Sequence, residues 1–155
     1  MTDDLFSLRN ELSRGPDDPT YIELNPAVVS RGAERMYAFS AVCIGPEIEA
    51  ETDGISLEVS CDGQRSVLPA VHQQAEATEA DEWLTVALFS VSRALLETVA
   101  SAGAVEVGLQ SGGGRLRRHL DAQNRHNVGR FLDLVCRHPT QALPGRAAVA
   151  AGAIA

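Results

Sequence analysis

Two Asp-Gly pairs nine residues apart, Asp53-Gly54 and Asp62-Gly63, constrain this chain more than any other feature of it. A type I′ turn needs positive φ at both central positions, which Gly adopts freely and Asp more readily than most residues. Alternating residues flank both pairs. Between them Ile55, Leu57, Val59 and Cys61 point one way, and Ser56, Glu58 and Ser60 the other. The spacing predicts a three-stranded antiparallel meander, with strands over 47–52, 55–61 and 64–71, one face in a core and the other wet.

Further segments extend this pattern. Leu5, Leu8 and Leu12, with Phe6 beside them, recur at helical spacing behind Thr2 or Asp3 as a cap. They predict a short amphipathic helix over 3–13, stopped by Gly15-Pro16. A brief strand is expected over 20–24, ended by Asn25-Pro26. From 34 to 44 both alternating faces are apolar, Met36, Ala38, Val42 and Ile44 against Tyr37, Phe39, Ala41 and Cys43. That is the pattern of a strand buried on both sides, and 83–91 reads the same way. Residues 72–82 are polar, acidic and aperiodic, as in a loop.

Ser92 or Ser90 is placed to cap a helix whose Leu95, Leu96, Val99 and Ala102 share a face, with Gly103 as its left-handed terminator. Val105, Val107 and Leu109 alternate inward on a strand over 104–109. Ser111-Gly112-Gly113-Gly114 then turns the chain into a polar strand over 115–120. Asp121 caps a last helix with Val128, Phe131, Leu132 and Val135 in one stripe, ended by His138-Pro139. Together these predict a single α+β domain over 1–139 and an Ala-rich tail, frayed or helical, over 140–155. The domain is expected to be an antiparallel β-meander sheet with two to three helices packed on one face, in the rough order α-β-β-β-β-β-β-α-β-β-α.

At 155 residues, 45% apolar and 22% charged, the chain suits one hydrophobic core. No apolar run approaches the roughly 20 residues that cross a bilayer. The acidic start, Met1-Thr2-Asp3-Asp4, lacks the positive n-region of a secretory signal, so a cytoplasmic location without membrane contact is expected. Cys43, Cys61 and Cys136 are odd in number and form no C-x-x-C pair, which predicts buried thiols rather than disulfides. All 13 basic residues are arginine, the mark of a GC-rich bacterial or archaeal genome or of a salt-adapted host. Their placement is lopsided. Residues 1–110 hold six Arg against 19 acids, a net of −13, and residues 111–155 hold seven Arg against two acids, a net of +5. Such asymmetry bears on partners rather than on fold.

Several groups of residues invite a functional reading. Glu47, Glu49, Glu51 and Asp53, with Glu58 nearby, place carboxylates about 7 Å apart along one strand face. A hard cation needs oxygens that converge on one point, so this linear array reads as a solvated, charge-protected edge strand and no metal is expected. The basic segment supplies Arg115, Arg117, Arg118, His119 and Arg125 as candidates for contact with a partner or an anion, with Arg130 and Arg137 beyond. An acidic protein of pI near 4.9, with Phe131 as the one aromatic in this stretch, disfavours nucleic acid. Internal pairing with the acidic meander, or an acidic protein partner, fits these arginines better. The glycine run leads into a strand rather than a helix, unlike a phosphate loop. His72, His119, His126 and His138 show neither H-E-x-x-H nor a zinc spacing to a cysteine. Ser90, Ser92 and Ser111 stand outside G-x-S-x-G, and Cys136 near a helix C-terminus is poorly placed to be a thiolate. No catalytic residue and no cofactor is assigned. The apolar stretch 147–155 is too short to span a bilayer.

In size, acidity and order of elements the chain resembles the small acidic chaperones of bacterial type III secretion. This is a likeness of shape and composition that gives no residue a role, and that family has fewer strands before its middle helix. The expectation is a non-enzymatic protein-interaction or accessory protein, a homodimer, because the sheet offers more apolar face than its helices cover. The alternative is a small-molecule-binding or hydrolytic enzyme with a site near 72–82, lined by the polar end of 64–72 and by Trp83. A third reading is anion or nucleic-acid binding through the C-terminal Arg set.

Overall fold

The computed structural model describes residues 4–14, 18–45, 54–111, 114–137 and 147–148. Among them the chain forms β1 (Asp4–Ser7), β2 (Tyr21–Arg31), β3 (Glu34–Gly45), β4 (Ser56–Cys61), β5 (Gln64–Ala77), β6 (Trp83–Ser90), α1 (Arg93–Ser101), β7 (Val105–Ser111), β8 (Gly114–Leu120), α2 (Ala122–Arg137) and β9 (Ala147–Ala148). The strands join in one sheet, in the order β8-β7-β4-β5-β6-β3-β2-β1-β9. Every neighbouring pair is antiparallel.

The second Asp-Gly pair makes the turn its chemistry demands. Asp62 (φ 49°) and Gly63 (φ 89°) are both left-handed, and they pair Cys61 with Gln64 across the β4–β5 hairpin. Gly54 is also left-handed (φ 70°), but Asp53 and the expected strand over 47–52, with Glu47, Glu49 and Glu51, lie outside the described residues. The three-stranded meander needs correction all the same. The second neighbour of β4 is β7, with Leu57 opposite Leu109 and Val59 opposite Val107. The matched apolar alternation of β7 takes that edge, and a tight turn carries no information about which distant strand will do so.

β5 is the longest strand and belongs to two halves of the sheet. Its first part pairs with β4, its second with β6, and the register shifts between Ala70 and His72, where Val71 is left over as a bulge. Residues 72–77, expected as loop, therefore continue the strand, and only 78–82 form the connection. Thr78 closes that connection. Its N–H donates to the Glu82 carbonyl (2.7 Å), and its hydroxyl oxygen accepts from the N–H groups of Ala80 and Glu82.

The expected N-terminal helix is an extended edge. β1 pairs with β2, and beyond it Leu12 N–H reaches Ile22 O (2.9 Å), Leu24 N–H reaches Asn10 O (3.0 Å) and Glu11 bridges Glu23. The inward positions are Phe6, Leu8, Asn10 and Leu12, a period of two that competed with the helical spacing of the leucines. β2 also runs through Asn25-Pro26 instead of ending there. Leu8 N–H donates to Pro26 O, so the side of Pro26 that lacks an N–H faces this irregular edge and costs the β3 ladder nothing. The Ala-rich tail contributes Ala147 and Ala148, which pair with Leu5 and Asp4 as β9.

The main core gathers Phe6, Leu24, Val28, Phe39, Leu57, Val59, Phe89, Val107 and Leu120 from the strands with Leu96 and Val99 of α1 and Val128, Phe131 and Val135 of α2. Phe131 stacks on Phe6 with centroids 5.7 Å apart. A smaller cluster, Ala27, Val29, Ala38 and Leu88, occupies the alternate positions and hence the opposite side of β2, β3 and β6.

Ser92 caps α1, its hydroxyl accepting from Leu95 N–H (3.0 Å). Gly103 is not left-handed as expected; the helix leaves through an extended Ala102. The Asp62 carboxylate then accepts the next two N–H groups, of Gly103 (3.2 Å) and Ala104 (2.9 Å). At the start of α2, Asp121 accepts from Asn124 N–H (2.8 Å) while Asn124 Oδ1 accepts from Asp121 N–H (3.1 Å), a reciprocal cap. The Asn124 amide also donates to Asn10 Oδ1 and to the Glu11 carbonyl, fastening α2 to the edge segment.

Candidate functional site

β8 carries most of the basic candidates, and strand alternation splits them. Arg115, Arg117 and His119 lie on the face away from the main core, opposite Gln110, Gly108 and Glu106 of β7. Arg115 and Arg65 hold the two oxygens of Glu58 on β4, the latter at 3.3 Å. Arg117 and His119 both face Glu106, each at 3.6 Å. Arg125 is elsewhere, its guanidinium donating to the Leu120 carbonyl (2.6 Å) at the β8–α2 junction.

Arg118 points the other way and is buried, 6% exposed. Its Nη1 donates to an Asp18 carboxylate oxygen (2.8 Å) and to Arg117 O; its Nη2 donates to Thr20 O (2.9 Å) and Asp18 O. The Asp18 carboxyl is held below the ordinary carboxylate range, chiefly by the Arg118 hydrogen bond. Arg118 thus joins β8, one end of the sheet, to the approach to β2 near the other end. The five candidates do not converge on a common point.

A second polar group lies on β2. Glu23 accepts from the Tyr21 hydroxyl, from Asn25 Nδ2 (3.0 Å) and from Arg9 (3.1 Å), and Arg9 also donates to Tyr21 Oη (2.6 Å). Burial works to raise the Glu23 carboxyl, but these donors together hold it low; burial, then Glu23, pushes the Tyr21 phenol up. With every Glu23 bond met inside the cluster, its chemistry is that of a strand-to-edge fastening.

Cys43 and Cys61 are buried as expected, and burial pushes the Cys43 thiol up to about 12. Cys136 is exposed, a correction to the expectation that all three are buried: it sits on the outer side of α2 and accepts from Arg93 Nη2 (2.9 Å). His72 lies beside the β5 bulge with Nε2 buried, His126 is exposed, and His138 lies outside the described residues. Among the described residues no three His, Cys, Asp or Glu side chains gather as a metal site, and no helix is long and apolar enough to cross a membrane.

The feature that sequence reasoning missed is the outward face of β5. Arg65, Val67 and Pro69 stand opposite Ser60, Glu58 and Ser56, on the side away from the main core. Past the bulge, His72, Gln74 and Glu76 stand opposite Leu88, Val86 and Leu84 on that same side. Val67 is 55% exposed and Val71 48%, the large apolar side chains most open to solvent among the described residues. Further along the strand lies a cavity of about 180 Å³, lined by Gln74, Ala75, Glu76, Leu84 and Val86. The Asp62-Gly63 turn alone would have found Val67: a two-residue loop pairs Cys61 with Gln64, which puts Val67 opposite the wet Glu58.

No family model, curated protein or solved structure matches the chain, so the likeness to secretion chaperones gains no support.

Proposed function

We propose that this protein is a non-enzymatic accessory protein that acts through protein contacts, with a homodimer as its working state. The observation that carries the reading is the outward face of β5, where Val67, Pro69 and Val71 form an exposed apolar strip in the middle of the sheet. The buried side chains of α1 and α2 all join the core on the opposite side, which leaves this strip without a helix above it among the described residues. Solvent-facing valines clustered on one strand favour association, since burying them releases ordered water and a second copy is the partner always at hand. Size-exclusion chromatography with light scattering tests this. A dimer is expected, and a clean monomer across a wide concentration range overturns the reading.

The cavity beside Glu76 favours a second reading, a small-molecule site at 72–82, although about 180 Å³ is below the roughly 300 Å³ usual for ligand pockets. Native mass spectrometry of the purified chain is expected to show a bound ligand on this reading; mass equal to that of the bare chain counts against it.

A further inference from the structure

We propose that the dimer forms face to face across β5, with the strands antiparallel and Arg65 of each copy seated over Glu76 of the other. This rests on the homodimer reading above and gives it a geometry.

The order of side chains along one face of one strand supplies this geometry. Outward residues of β5 read Arg65, Val67, Pro69, then Val71 at the bulge, then His72, Gln74 and Glu76. A cation stands at one end and an anion at the other, with the apolar strip beside the cation and His72 and Gln74 beside the anion. Arg65 lies about 20 Å from Val71 along the strand and Glu76 about 17 Å on the other side, at about 3.3 Å per residue. Such a row is its own complement. A two-fold axis lying in the interface, crossing the strand near Val71, lays the row on itself reversed. Val71 then meets Val71, Val67 faces Gln74, and Arg65 meets Glu76 twice. The other two-fold, along the strand, sets Arg65 on Arg65 and Glu76 on Glu76 and is disfavoured by like charge.

The ends of the row suit this exchange. Glu76 lines the small cavity together with Leu84 and Val86, so an entering Arg finds apolar surface for its stem and a carboxylate for its head. In the single protomer Arg65 leans on Glu58, but Arg115 holds the other oxygen of that carboxylate. Arg65 therefore leaves without stranding Glu58. Its side chain is 64% exposed and free to swing outward.

The test is sedimentation equilibrium on the full chain and on Val71→Asp, Arg65→Glu, Glu76→Arg and the double variant Arg65→Glu/Glu76→Arg, with circular dichroism to establish folding. Val71→Asp is expected to give a monomer. Each single charge reversal is expected to raise the dimer Kd by about tenfold or more, and the double variant to return it to within about threefold of the original. If Val71→Asp fails to fold, the charge-reversal set still decides, since both its positions are exposed. A dimer indifferent to all four variants overturns this geometry while leaving the homodimer standing. A full chain that stays monomeric overturns both. A monomer whose contact with a different protein depends on Val71 overturns the assignment of a second copy to this face.

Discussion

A guanidinium is tolerated in a core only when most of its donors are met: four bonds from Arg118 reach Asp18, Thr20 and Arg117, and its buried Nε alone lacks a partner. Truncation leaves three carbonyls and a carboxylate facing a hole. Arg118→Ala is therefore expected to destabilise the fold by about 3 kcal/mol, read as a lower urea midpoint, with water at the partly exposed Asp18 limiting the loss. The pair also sets an acid limit. Because the folded Asp18 carboxyl is depressed, its contribution is present above the unfolded value, about 3.9, and disappears as pH falls through the lower folded value. Urea midpoints taken from neutral pH down into that range should fall more steeply for the natural chain than for Asp18→Asn. The inward aim of Arg118 was legible: Leu116 and Leu120 share its parity on the strand. Charge alone groups 115–119 as one basic cluster, whereas strand direction divides it.

At the level of elements, the Asp62-Gly63 hairpin was read correctly because its determinants are local: two residues that accept positive φ, between alternating strands. The second task of Asp62 was not legible. Its carboxylate accepts the N–H groups of Gly103 and Ala104, forty residues on, and so ties the turn to the exit of α1. Asp62→Ala is expected to cost about 2 kcal/mol, from left-handed strain and two lost acceptors, whereas Asp62→Asn should cost less than half of that. Thermal or urea unfolding of the two variants gives the comparison. The edge strand was misread for a related reason. Its inward row, Phe6, Leu8, Asn10 and Leu12, breaks the apolar alternation at Asn10, which is buried because Asn124 and Asn127 of α2 meet its side chain. Asn124→Ala removes that partner and the Asn124 half of the reciprocal cap together, leaving the Asp121 half in place. A loss of about 2 kcal/mol is expected, with amide exchange accelerated in the first turns of α2 and in 8–12 before it rises in β4.

Over the whole molecule the lopsided charge of the sequence is largely reconciled by topology. Insertion of β4 between β5 and β7, which no local signal announces, brings Glu58 against Arg115, while Glu106 faces Arg117 within the β7–β8 hairpin and Arg118 meets Asp18 on the core side. Acids from the first 110 residues thus sit against bases from the last 45. β8, the most basic strand of a segment that is +5 as a sequence, is not a free cationic surface in the fold. A polyanion approaching β8 must first displace these carboxylates and then work against a net charge of −8, so the release of counterions that drives such binding has few unpaired arginines to draw on along β8. The chain is therefore expected to pass through immobilised DNA at low salt without retention. Glu58→Gln with Glu106→Gln keeps the shape of both side chains while freeing Arg115 and Arg117, and should convert that passage into weak retention lost on adding salt. Retention of the natural chain, or no change in the double variant, would mean that these ion pairs do not control the surface of β8.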